Sequence, residues 1–150
     1  MNDSLDIKGE VSIRGYNADG EMVLSVDKKN LVVTTGKQRM AALLATGNSD
    51  DLVDGIIFGT VSAAPTLSDV YSGIGSPFEK GLGTISYPAA NSVKWEWSLE
   101  FAEANGREIR EIGLVSGVGA GAQALFSRIV TDSIVKTSGL RLEGSWKITF

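Results

Sequence analysis

Residues 93–101 read VKWEWSLEF. Val93, Trp95, Trp97, Leu99 and Phe101 fall on one parity, and Lys94, Glu96, Ser98 and Glu100 fall on the other. Unbroken period two over this length predicts an antiparallel strand with one face buried and one in water. Such a strand needs hydrogen-bonding neighbours on its edges and a layer over its apolar face, so the rest of the chain is read for both.

The stretch SGLRLEGSWKITF, 138–150, alternates in the same way. Leu140, Leu142, Trp146, Ile148 and Phe150 share one parity against Arg141, Glu143, Ser145, Lys147 and Thr149. Most terminal residues fray unless something holds them. Trp146, Ile148 and Phe150 therefore predict a structural terminal strand, paired within a sheet or closing one with a neighbouring subunit.

An N-terminal hairpin is predicted over residues 5–33. Ile7, Val11 and Ile13 alternate with polar residues, Asp19-Gly20 supplies the turn, and Met22, Leu24 and Val26 continue the return strand. Asn105-Gly106 is a second hairpin signal. DGIIFGTV, 54–61, is a short buried-strand run, and IREIGLVS and ALFSRIV add two more strands around the glycine-rich tip GVGAGA, 117–122. One helix is predicted near residues 36–46. It has Thr35 and Gln38 at capping-box spacing, Met40, Leu43 and Leu44 on one face, and Gly47 as its stop. The expected fold is mainly β: one domain, 1–150, forming an antiparallel, jelly-roll-like β-sandwich with a short α-helix.

Residues 60–90 lose this periodicity and hold all the prolines, Pro65, Pro77 and Pro88, together with Gly73, Gly75, Gly81 and Gly83. A loop this long inside a compact domain points to function or an interface. Pro65, Tyr71, Pro77, Phe78 and Tyr87 are the candidate protein-interface residues.

Composition narrows the chemistry. The 150 residues contain no cysteine and no histidine, so disulfides, thiolate nucleophiles, cysteine zinc sites and the commonest general base are all missing. The formal charge is −4, with Lys and Arg scattered, and no basic stripe suits a nucleic-acid backbone. No apolar run reaches membrane-spanning length, and MNDSLDIKGE lacks the pattern of a signal peptide. A soluble chain without cofactor or metal is expected.

Several short motifs invite catalytic readings and fail on spacing. Gly36-Lys37 lacks the upstream glycine and the following Ser or Thr of a phosphate loop. GVGAGA has no amphipathic helix after it. Asp50 with Asp51 sits in a polar loop and adjacent strand residues point to opposite faces, so for these and for Glu108 with Glu111 a solvated surface is expected rather than glycosidic acid/base work. Trp95 and Trp97 share a face, as a sugar-stacking platform requires. They share it with Val93, Leu99 and Phe101, which favours the sheet interior.

In their order along the chain, NLVVTTGKQRMAALLATG, DGIIFGTVSAAPTLSD, EANGREIREIGLVS and ALFSRIVTDSIVKTSGLRLEGSWKITF resemble a family of small tailed-bacteriophage virion proteins. The resemblance covers most of residues 30–150, while residues 70–90 depart from it. It implies a non-enzymatic structural component of the tail, baseplate, fibre attachment, neck or collar, made in the host cytoplasm and located in the virion. Its partners would be copies of itself and other virion proteins. The alternative is a carbohydrate-binding sandwich on a receptor-binding fibre.

Overall fold

The computed structural model describes residues 6–118 and 123–150. In chain order its elements are β1 (Lys8–Tyr16), β2 (Met22–Val32), α1 (Thr34–Thr46), β3 (Val53–Gly59), β4 (Phe78–Gly81), β5 (Ile85–Ser86), β6 (Ser92–Leu99), β7 (Glu108–Ser116), β8 (Ala124–Val135) and β9 (Arg141–Thr149). Single 3₁₀ turns lie at Ser49–Asp51 and Tyr71–Gly73. The strands are hydrogen-bonded in the order β4-β3-β7-β8-β2-β1-β9-β6-β5, and the sheet curls into a sandwich around a shared core.

Two segments make the curl. β2 pairs with β1 over most of its length, but its last residues, Leu31 and Val32, pair instead with Arg128 and Ser127 of β8. On the far side β4 pairs with β3 and β5 pairs with β6, with only residues 82–84 between them. The Leu82 N–H donates to Asp54 O at 3.0 Å and the Gly83 N–H to Glu96 O at 2.8 Å. The outermost strands are thus bridged by their own chain, which limits the edge left open to stray pairing. Residues 60–90, expected as one loop, therefore contain two short strands and a 3₁₀ turn.

The predicted hairpin is present. Its connection is the five-residue loop 17–21, since Tyr16 pairs with Met22. The Asn17 side-chain oxygen accepts the N–H groups of Asp19 and Glu21, and Gly20 takes φ +80°, a conformation that costs glycine little. Asn105-Gly106 behaves differently. Gly106 has φ +81°, yet β6 and β7 are not neighbours, so the turn is an arch between the two halves rather than a hairpin. β7 and β8 do pair, up to Ser116 with Ala124. Most of the expected glycine-rich tip, residues 119–122, lies outside the described residues.

β9 sits between β1 and β6, and its pairing sets the core. Val11, Trp146 and Trp95 form one row across the three strands. Trp95, Trp97, Leu142, Trp146 and Ile148 are buried, and Trp97 meets the Phe58 ring edge-on at 5.2 Å. Each large side chain fully buried here contributes about 1.5–3 kcal/mol. Opposite Trp97 stands Gly144, where a Cβ would lie 2.1 Å from the indole Cζ2; only a glycine lets the ring lie flat on the strand. The pinned strand is as expected for Trp146 and Ile148. Phe150 differs: it follows β9 with its backbone bonded to Asn91, and its side chain is 42% exposed.

The helix begins at Thr34, and the capping box is not formed. Val33 occupies the N-cap without a side-chain bond, and the Thr35 hydroxyl donates to Leu125 O at 2.6 Å. The first helical turn lies so close to β8 that a Cβ on Gly36 would meet Phe126 O at 2.2 Å. The threonine is used to dock the helix rather than to cap it. Gly47 ends the helix in the left-handed conformation, as expected. Met40 packs on the core, but Leu44 is 91% exposed, outside the face assigned to it.

Candidate functional site

The segment between β3 and β4 is fixed to the sandwich by charge. Glu111 of β7 is completely buried, and one of its oxygens accepts the N–H groups of Val61 at 2.9 Å and Gly75 at 3.0 Å. Its other oxygen accepts the Arg128 Nε at 2.7 Å, and Arg128 Nη1 donates to Asp69 Oδ2 at 2.9 Å. Charge-assisted bonds of this kind orient as well as attract. Burial pushes the Asp69 carboxyl up, but the Thr66 N–H and hydroxyl together with Arg128 outweigh it and hold the group below its usual range. A buried charge stripped of its partner is costly, so the loop, Glu111 and Arg128 stand or fall together.

The five residues expected at an interface are not gathered into one surface. Tyr71 packs on the small second core of Val33, Ile57, Ile74, Val115 and Leu125, and its hydroxyl donates to Glu79 at 2.8 Å. Burial and that carboxylate both raise the phenol's pKa. Phe78 lies 6.4 Å from Phe58, with the Arg107 guanidinium 5.3 Å above its ring. Pro65 is half-buried and Pro77 exposed. Tyr87 is 78% exposed and belongs to the other half of the sheet.

Tyr87 has different company. Ile85 stands opposite Trp95 in register, and Tyr87, two residues on, continues the same side. Phe150 keeps the parity of Trp146 and Ile148. Ile85 therefore lies on the core-facing side of this half-sheet, with Tyr87 just past the end of β5 and Phe150 just past the end of β9, yet Ile85 is 51% exposed and the others are open as reported above. Sequence reading missed Ile85 and placed Phe150 inside. The apolar–polar–apolar run Ile85-Ser86-Tyr87, stopped by Pro88, was the available signal of an outer strand.

The opposite side of this half-sheet is polar. Cross-strand rows run Ser25–Arg14–Glu143–Ser98, Asp27–Ser12–Ser145–Glu96 and Lys29–Glu10–Lys147–Lys94. The small Ser12 and Ser145 form the floor shared by two clefts of about 580 Å³ and 620 Å³. Arg14 pairs with Asp27, Lys147 with Glu10, and Arg141 with both Glu100 and Glu143. Lys147 lowers the Glu10 pKa, and Ser98 with Arg141 lowers that of Glu100. These shifts favour the charged carboxylate, the reverse of what a general acid needs. Trp95 and Trp97 face the core and offer no surface on which a sugar could stack.

Among the described residues no cluster of acids could hold a metal ion, and no helix is long and apolar enough to cross a membrane. No protein-family model, curated protein or solved structure matches this chain.

Proposed function

We propose that the chain is a non-enzymatic structural component of a tailed-bacteriophage virion, working in the tail, baseplate or neck by assembling with copies of itself and with other virion proteins. The observation that carries an assembly role is the apolar side of β5. Ile85 extends the core-facing side of the half-sheet into water, and Tyr87 two residues on is open as well, where a partner would bury them. The motif order along residues 30–150 supplies the virion context. The salt-bridged polar face, whose shifted carboxyls are all held charged, also favours recognition over acid/base chemistry.

Two measurements test the reading. Light scattering of the purified chain over a wide concentration range should give a discrete oligomer, and Tyr87→Asp should lower its mass. Peptide mapping of purified particles should find the chain in stoichiometric amount. Particles that assemble and adsorb normally without it would refute the role. A carbohydrate-binding module would instead have to use the Ser12–Ser145 clefts, and hits on a glycan array that Ser145→Trp abolishes would favour it.

A further inference from the structure

Lys136, just beyond the end of β8, has a completely buried side chain. Its backbone is clamped to the arch that joins the two halves of the sandwich. The Lys136 N–H donates to Arg107 O and its carbonyl accepts the Gly106 N–H, both at 2.9 Å. The ammonium nitrogen curls back over that arch to lie 3.1 Å from the Asn105 Oδ1 and 3.0 Å from Thr137 O. The carboxamide is held from its other side, since Asn105 Nδ2 donates to Phe101 O at 2.9 Å. An amine and a primary amide are thus hydrogen-bonded to each other, the lysine buried and the asparagine at the surface.

Two carboxylates act on the amine through their charge. Glu103 and Glu100 both favour the charged amine, while burial, the larger influence, pushes its pKa down towards the neutral form that carries a lone pair. Glu103 is itself fixed, accepting Lys80 Nζ at 2.6 Å and the Glu100 N–H at 2.8 Å. A positioned amine, an amide carbon within reach and a carboxylate whose charge acts on the amine are the requirements of amide exchange.

We propose that Lys136 and Asn105 join in an intramolecular isopeptide bond after the chain folds. The neutral Lys136 Nζ attacks Asn105 Cγ, forming a C–N bond. The Cγ–Nδ2 bond then breaks, and the proton lost from Nζ passes to the departing nitrogen, which leaves as ammonia, while the charge of Glu103 steadies the amine as it gives up that proton. Amine plus primary amide give secondary amide plus ammonia, with no oxidant or cofactor required. The bond would tie the end of β8 to the β6–β7 arch, in a chain that has no cysteine for a disulfide. This inference does not depend on the virion reading.

The test is the mass of the full-length purified protein with a peptide map. The wild type should be one ammonia lighter than its sequence requires, with the Lys136 and Asn105 peptides recovered as one branched species. Lys136→Arg should restore the full mass and separate the peptides, and Glu103→Gln should slow the loss of ammonia in freshly refolded protein. Asn105-Gly106 can also lose ammonia by closing on its own backbone, but that product joins no peptides and persists in Lys136→Arg. Full mass with separate peptides in the aged wild type, or an ammonia loss in the wild type that yields no branched Lys136–Asn105 peptide, overturns the proposal.

Discussion

β9 and the 60–77 segment are both fixed to the same sandwich, by opposite physics. β9 is held by backbone ladders on two sides and by Trp146, Ile148 and Leu142 in the core. The 60–77 segment has little ladder of its own and adds to the packing of Tyr71 and Ile74 the charged network of Glu111, Arg128 and Asp69. The first kind of attachment ignores pH across the range where carboxylates titrate, and the second does not. One chain therefore contains an attachment made without titrating groups and one in which acid weakens the bond between Asp69 and Arg128.

Removing residues 146–150 should have the largest effect, because it strips β1 and β6 of a shared neighbour and opens the core. Insoluble or non-cooperatively unfolding product is expected, and a wild-type melting curve would break the comparison at its stronger end. Trp95→Ala should cost about 3–5 kcal/mol in a denaturant titration. That cost should be the same at pH 5 and pH 8.

Arg128→Ala should cost a similar amount, about 3–5 kcal/mol, by leaving Glu111 buried without its partner. The double replacement Glu111→Leu with Arg128→Met should recover much of this loss, although the N–H groups of Val61 and Gly75 then lose their acceptor. If the double variant were no better than the single, the network would be held by something other than charge pairing.

Asp69→Asn should be milder, about 1–2 kcal/mol at neutral pH. Since the Asp69 pKa is lowered in the fold, its contribution is full above the ordinary carboxylate value and fades as pH falls through the folded one. The gap between wild type and variant should therefore close below about pH 4, read as protease sensitivity of residues 60–77. Tyr87→Asp should be smallest, within about 0.5 kcal/mol, while still reducing self-association. A large loss of stability there would place Tyr87 in the fold rather than at an interface.

Much of the sandwich was legible because alternation survives wherever one face of a strand is buried: VKWEWSLEF and the terminal strand could hardly be read otherwise. What escaped depends on pairs distant in sequence. Thr35 looked like a cap because its role as a donor to Leu125 needs the fold to bring β8 alongside. Asn105-Gly106 has the residues of a hairpin turn, and nothing local says that its flanking strands belong to different halves. Glu111 and Arg128 lie on strands that read as ordinary, so a buried ion pair there leaves no periodic trace. The candidate surface was half legible: Tyr87 is open as expected, while Tyr71 and Phe78 turn inward because Glu79 and Arg107 meet them.

The position of β9 between β1 and β6 also bears on how the protein is made. β1 pairs on one side with β2, which follows it at once, and on the other with residues 141–149. During synthesis the nascent hairpin must wait with that second edge bare while more than a hundred residues emerge, and β6 waits a shorter time, until the chain from Leu99 to Arg141 has followed it. Contacts so distant in sequence form slowly, and an exposed strand edge invites aggregation until they do. Yield in a foreign host should therefore respond to growth temperature and chaperone supply more strongly than the finished sandwich's stability would suggest.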